Sequence, residues 1–419
     1  MMKKSFYLLF PLLLTLFPPG TGRTEETSAG AGRTWTEDDI ILAESASGWE
    51  ISPDGSLAVS VRSEVKRVKG EEKRVTNLWL TRLEGEKSIP LTRGTDRVSS
   101  PAFSPDGRLV AFLSNRSIPG AEPEEVGKNQ VWLIPVGGGE AYPSTRFDRS
   151  VEAFGWIDAK SLVVLAPESL SSWERKRKEK KDTTRVVDDA DHEPPVRLFR
   201  VAIGNNSVDR LTRNRDWIDS LSVSPGGKHA VVTAQQSLSY QFDQKQPPHT
   251  FLVDLESGAM TRLFEAGVLL PVSVRWAPDS TGFYLVNEFT RHPVYRMATI
   301  SELHFYALDK RLSFQVDLDW DRGLGRGDYL PVPGGILVLL ADGVRNRPAQ
   351  YIRGRDGWRK KEMNFTHAAN IDNWAVSRDG NRVMGRSRPP QWFAARRNGS
   401  RLERERPITK LNPGYAGKP

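Results

Sequence analysis

Short apolar runs recur along most of the chain, each introduced by a polar turn. Leu109-Val110-Ala111-Phe112-Leu113, Leu162-Val163-Val164-Leu165, Ala230-Val231-Val232, Phe283-Tyr284-Leu285-Val286 and Ile336-Leu337-Val338-Leu339-Leu340 are too short for helices. They read as buried strands. The turns ahead of them share a signature: Ser52-Pro53-Asp54-Gly55, Ser104-Pro105-Asp106-Gly107 and Ser224-Pro225-Gly226-Gly227. Altered copies are Trp156-Ile157-Asp158-Ala159, Ala277-Pro278-Asp279-Ser280, Val332-Pro333-Gly334-Gly335 and Ser377-Arg378-Asp379-Gly380. Proline presets the first turn dihedral, Asp tolerates the next, and Gly takes the positive φ that follows, so each copy predicts a hairpin.

The copies start at 52, 104, 156, 224, 277, 332 and 377, in steps of 52, 52, 68, 53, 55 and 45. About 25 residues after each comes a second block: Asn77 to Leu80, Gln130 to Leu133, Arg197 to Arg200, Thr250 to Val253, Leu303 to Tyr306, Gln350 to Ile352 and Gln391 to Phe393. Each reads as a strand, a turn and a returning strand. Repeated four-stranded units at a period near 50 predict an all-β fold, a seven-bladed β-propeller over residues 46–410. Six or eight blades stay open, because two anchors have decayed. No strand is left over to latch the ring, so closure is expected from apolar packing alone, without hydrogen bonds across the seam.

The 68-residue step coincides with residues 171–195, where seven basic and seven acidic side chains cancel between Trp173 and Glu193. This predicts a solvated insertion in the third blade and argues against a nucleic-acid patch. Ahead of the ring, Thr36 is placed to cap a short helix with Glu37, Asp38 and Asp39 in its first turn and Ile40, Ile41 and Leu42 as its apolar face. Lys3, Lys4 and the apolar run Phe6 to Phe17 read as a secretory signal, residues 1–22, with cleavage after Gly22 or Ala31. The run is too short to span a membrane; an uncleaved anchor is the other reading. A periplasmic or secreted protein follows, with a flexible leader and short helix over 23–45 and a linker over 411–419. Of 419 residues none is Cys, which excludes disulfides, thiolate metal sites and a lipid anchor.

The signal, the helix, the first Ser52-Pro53-Asp54-Gly55 turn, the insertion ending Arg185-Val186-Val187-Asp188 and the closing Pro407-Ile408-Thr409-Lys410-Leu411-Asn412-Pro413 resemble the amino-terminal propeller of a prolyl-oligopeptidase family serine peptidase. The acylaminoacyl-peptidase and dipeptidyl-peptidase branch is the nearest. The resemblance implies a propeller that restricts peptide access to an α/β-hydrolase domain carrying a Gly-x-Ser-x-Gly elbow, Asp and His. The chain stops at Pro419, where that domain would begin. Its nearest string, Gly385-Arg386-Ser387-Arg388-Pro389, lacks the last glycine. No catalytic residue carries over, and the chain alone is expected to be inactive. The pairs Glu25-Glu26, Glu71-Glu72 and Glu124-Glu125 do not match the family's amine-holding motif. The alternative is a stand-alone TolB-like periplasmic scaffold.

No cofactor is expected. The six histidines are spaced too widely for metal pairs. Asp317, Asp319 and Asp321, with Asp328 at the twelfth place, approach a calcium loop, but Arg322 replaces its glycine. The competing reading is a strand with Phe314, Val316, Leu318 and Trp320 on one face. The formal charge of +8 is unevenly placed: residues 345–362 carry +5 and residues 386–410 carry +6, leaving −3 elsewhere. Arg386, Arg388, Arg396, Arg397, Arg401, Arg404 and Arg406 are therefore the candidate surface for docking a hydrolase domain or another peptide or protein partner. A merely solvated basic edge is the other reading.

Overall fold

The computed structural model describes residues 34–415 apart from 86, 121–125, 170–171, 181–192, 266–268, 291, 296–297, 356, 365–370, 372 and 387–390. The signal and cleavage sites, the first part of the leader, most of the charged insertion, Arg388, Ser387, His192, His367, Glu25-Glu26 and Glu124-Glu125 lie outside these residues.

The described chain is almost entirely β. Antiparallel four-stranded meanders follow one another from Ser45 to Pro407. The first comprises Ser45–Ile51, Leu57–Val68, Glu71–Arg82 and Ser88–Pro90. The second comprises Val98–Phe103, Leu109–Ser114, Gln130–Pro135 and Tyr142–Pro143. An eight-stranded sheet joins Ala153–Asp158, Ser161–Pro167, Val196–Ala202 and Val208–Arg210 to Trp217–Val223, His229–Gln235, His249–Asp254 and Met260–Arg262. One parallel pair, Val196 with Trp217, makes that link. Three more four-stranded sheets complete the chain. They are Pro271–Trp276, Gly282–Phe289, Ile300–Ala307 and Leu312–Gln315; Leu324–Val332, Gly335–Asp342, Arg345–Gly354 and Gly357–Glu362; and Trp374–Val376, Arg382–Arg386, Trp392–Asn398 and Arg401–Pro407.

Every signature copy falls at the junction of the first and second strands of a meander, the 156–159 copy beginning inside its first strand, and every second block falls in or at the start of a third strand. The serine of the signature explains its recurrence. Ser52, Ser104, Ser224 and Ser377 Oγ accept the N–H of the residue five positions on, at 2.9–3.0 Å. Ser52 and Ser104 Oγ also donate to Asp54 and Asp106, at 2.5 and 2.6 Å. Those donated bonds hold both carboxyls below the usual Asp range. The turn thus closes on its own side chains, whatever its surroundings.

A second clamp sits at the other edge. Thr92, Thr145, Thr212 and Thr409 Oγ1 accept the main-chain N–H of Leu78, Val131, Leu198 and Trp392, at 2.8–3.0 Å. Each ties the end of a fourth strand to a third strand.

Apolar clusters fill the spaces between consecutive meanders. Val59, Leu78, Val110 and Phe112 join the first to the second, and Tyr284, Phe305, Tyr329 and Tyr351 join the last two but one. Indoles staple neighbouring first strands. Trp156 Nε1 donates to Ala102 O at 3.2 Å and Trp276 Nε1 to Ser222 O at 2.9 Å.

The last meander packs on the first through Ala46, Ile51, Met384, Trp392, Ile408 and Leu411. No strand from leader residues 34–44 joins the last sheet. The expected absence of hydrogen bonds across the seam is corrected. Trp392 Nε1 donates to Ala46 O at 3.2 Å, Asn412 and Glu44 exchange two bonds, and Glu84 accepts from Arg382 and Arg396. Among the described residues no main-chain ladder crosses this seam, and side chains pair polar groups across it instead.

Candidate docking face

Strand direction sorts the connections onto two ends of the ring. Signature turns and the short third-to-fourth-strand turns share one end, here the turn face. The opposite loop face carries the second-to-third-strand connections, including those that leave after Ser114, Pro167, Gln235 and Phe289. It also receives the chain at Ser45 and releases it after Pro407. The first meander adds a ribbon there. Its second and third strands stay paired from Glu64–Val75 to Val68–Glu71, beyond the reach of their neighbours. Lys66–Glu64 and Lys73–Glu71 ion pairs, at 2.6 and 3.2 Å, flank its tip. Charge of this kind discourages edge-to-edge pairing. Glu71-Glu72 belongs to this tip.

The two ends of the described chain meet on the loop face. Helix α1 (Glu37–Ile41) is capped by Thr36, whose Oγ1 accepts from Asp39 N while the Asp39 carboxylate accepts from Thr36 N. Tyr415 O–H donates to Asp39 O, and its ring meets Trp35 edge-on with centroids 4.9 Å apart. Arg74 donates to Ile41 O at 2.7 Å and Ala43 O at 2.9 Å. The apolar face expected of this helix is present but not buried: Ile40, Ile41 and Leu42 are 71%, 53% and 45% exposed. The helix is fixed by backbone and capping bonds instead. Exposed apolar residues gathered beside a chain exit are what a protein interface offers.

Asp219 and Glu152 lie at the loop-face ends of neighbouring first strands. Asp219 is the extra residue of a bulge between Ile218 and Ser220, a device that re-aims a side chain. Desolvation raises Asp219 above the usual range, against a Gln235 hydrogen bond. Glu152 is raised by desolvation and by the charge of Asp219. Glu50 lies instead at the turn-face end of the first strand, one residue before Ile51; it accepts from Phe103 N at 3.3 Å and is pushed up to about 8 by burial.

A groove of about 780 Å³ on the same face holds Glu302, Asp317, Asp319 and Asp321. Of the strand reading, Val316 and Leu318 are buried and the three Asp exposed, but the strand stops at Gln315 and Phe314 turns outward. Asp319 has a φ of +42°, which ends the alternation. Among the described residues no group of three or more His, Asp or Glu is placed to hold a metal. Trp320 lies between the cations of Arg347 and Lys360, at 5.1 and 4.9 Å, and donates to Ala341 O at 2.7 Å.

On the turn face the signature turns converge. Arg378 Nη2 donates to Pro225 O at 3.3 Å, and a cavity of about 470 Å³ lies among Pro53, Pro278, Pro333, Tyr284 and Arg353.

The basic candidates do not form one surface at the chain exit. Arg386 lies at the loop-face end of its strand, opposite Trp392. Arg396, Arg397 and Arg401 flank the turn at Gly399, at the other end of the blade from Lys410. Arg397 donates to Gly380 O and, at 2.9 Å, to Gly399 O, so reversing its charge would disturb two turns. Arg396 is paired with Glu84. Arg404 and Arg406 lie on the outermost strand. The Glu84 and Arg382 partners were missed in the sequence; 298 residues separate them, and no local pattern signals the contact.

No family model matches the chain. An uncharacterised peptidase of Bacillus subtilis, YuxL, is 26% identical over 227 residues, covering 51% of this chain and 33% of that protein. The chain superposes on the acylaminoacyl peptidase of Pyrococcus horikoshii with a TM-score of 0.63 and 15% identity, covering 91% of this chain and 55% of that one. On the β-propeller domain of the Trilobed protease from Pyrococcus furiosus, described as having an open velcro topology, the TM-score is 0.58 at 13% identity, with 89% and 98% covered. The chain therefore spans a third to about half of the peptidases it resembles. The match in fold is to their propeller domains, as the repeats led us to expect.

Proposed function

We propose that this chain is the seven-bladed propeller portion of an exported serine peptidase and restricts the access of peptides to an α/β-hydrolase domain. The single parallel pair inside the eight-stranded sheet supports reading that sheet as two blades. The observation that carries the functional reading is the loop face. It holds both ends of the described chain, joined through Asp39–Tyr415 and Glu44–Asn412, beside the exposed Ile40, Ile41 and Leu42. A domain attached after Lys410 would meet that face first. The hydrolase-docking role expected of the Arg396–Arg397–Arg401 group moves accordingly to α1 and the surrounding loops.

The test is association of the full chain with a separately produced hydrolase domain of an acylaminoacyl peptidase, followed by analytical ultracentrifugation. A complex is expected, weakened by about 10-fold or more when Ile40 and Leu42 are both changed to Asp. A complex indifferent to those changes would place the contact elsewhere. No complex with any hydrolase domain would favour a scaffold that works alone.

A further inference from the structure

On the turn face, at the seam between the last and first meanders, lies a cavity of about 170 Å³ lined by Leu83, Glu84, Arg382, Arg396, Arg404 and Arg406, with Ala394 and Ala395 completing its floor. Four arginines and one carboxylate residue thus line it. Glu84 uses a single oxygen, Oε1, to accept from both Arg382 and Arg396. These two bonds, Arg396 first, draw its carboxyl down to about 2. Arg404 and Arg406 have no hydrogen-bond or ion-pair partner for their side chains among the described residues.

The backbone places them there by an irregular route. Register slips between the Ala394–Arg406 and Arg396–Glu403 pairs, and Arg404 takes a φ of +54°. A bulge of this kind turns a side chain away from the direction a regular strand would give it.

Concentrated cations repel one another unless an anion joins them. The planar fork of a guanidinium matches the oxygens of a phosphate, and several forks around one tetrahedral anion satisfy oxygens that a carboxylate lacks. The cavity already has a carboxylate in Glu84, and two of its four cations remain uncommitted. We infer that this cavity binds a phosphate-type oxyanion, free or as the exposed end of a phosphate ester, held by Arg404 and Arg406 beside the Glu84-paired Arg382 and Arg396. The site is independent of any hydrolase domain and lies on the face opposite to the proposed docking surface.

Isothermal titration of the full chain with inorganic phosphate, at fixed chloride in a zwitterionic buffer, tests it. Saturable binding is expected, with competition by sulfate. The Arg404→Ala/Arg406→Ala double variant should bind about 10-fold more weakly or worse, since each lost charge-assisted bond is a large effect. Its melting temperature without anion should match the parent, because neither guanidinium supports the fold. Glu84→Gln should bind several-fold more tightly, as Arg382 and Arg396 become available. Glycerol phosphate in parallel separates the sources: binding of both anions marks a site for an ester group, and binding of phosphate alone marks a site for the free ion. No saturation by about 20 mM phosphate, far weaker than typical ligand sites, overturns the inference. So does parent-like affinity in the double variant. Unchanged or weaker binding by Glu84→Gln overturns the part assigned to Arg382 and Arg396.

Discussion

Glu44 and Asn412 stand 368 positions apart and bond to each other twice. The Glu44 N–H donates to Asn412 Oδ1 at 2.7 Å, and Asn412 Nδ2 donates to Glu44 O at 2.9 Å. One side chain thereby does for the entering strand what a neighbouring backbone does inside a sheet. It joins the chain entry to the chain exit at the seam between the last and first sheets.

Asn412→Ala removes both bonds. A net hydrogen bond contributes about 0.5–1.5 kcal/mol, and exposure puts these near the lower end. A loss of about 1–2 kcal/mol is expected in chemical denaturation. Asn412→Asp, which keeps the acceptor, should lose less. Equal midpoints for parent and Asn412→Ala would mean that the apolar cluster around Trp392 closes the ring unaided.

Glu50 makes stability pH-dependent. Its carboxyl titrates near 4.5 when unperturbed and near 8 in the folded ring. The folded state therefore holds a proton that the unfolded state releases over this window. The stability it confers is complete below pH 4.5 and is lost as pH rises through 8. Part of its surface is open, so the loss is a few kcal/mol at most, under the roughly 1.4 kcal/mol per unit limit. Glu50→Gln should match the parent's melting temperature at pH 4 and exceed it at pH 9. A constant difference at both pH values would refute the assignment.

Two turn glycines separate backbone strain from steric contact. Gly334 has a φ of +73° with nothing within 4 Å of where a Cβ would stand; Gly227 has a φ of +67°, but its Cβ would lie 1.8 Å from Ile157 O. Gly334→Ala should cost about 1 kcal/mol, the left-handed penalty alone. Gly227→Ala must also displace a neighbouring inner strand and should cost about 3 kcal/mol or more. Similar losses in urea titrations would show that the contact relaxes freely.

Ser104 is fully buried and serves both its own turn and the next strand. Ser104→Ala removes the acceptor for Leu109 N and the donor to Asp106. A loss of about 1–3 kcal/mol is expected for the unsatisfied buried N–H. The Asp106 carboxyl should titrate higher, which carboxyl NMR can follow. An unmoved Asp106 would mean that its environment does not depend on the serine.

The meanders were legible in the sequence because their signals are local. Ser, Pro, Asp and Gly close a turn within five residues, and the apolar runs after it can only be strands buried on both sides. The capping box at Thr36 and Asp39 is equally local and equally legible. The fate of Ile40, Ile41 and Leu42 is not: an apolar stripe states what a helix could bury, while only the ring's edge decides whether anything covers it. The same holds for charge. Arg396, Arg404 and Arg406 look like one basic strip along the chain, yet strand alternation and a bulge turn them toward a pocket whose carboxylate, Glu84, comes from the opposite end of the sequence. Seam contacts such as Glu44 with Asn412 exist only once the ring brings first and last sheets together, so nothing within either segment announces them. Short-range hydrogen bonding and hydrophobic period belong to the sequence; which side chains meet across 300 residues belongs to the closure of the ring.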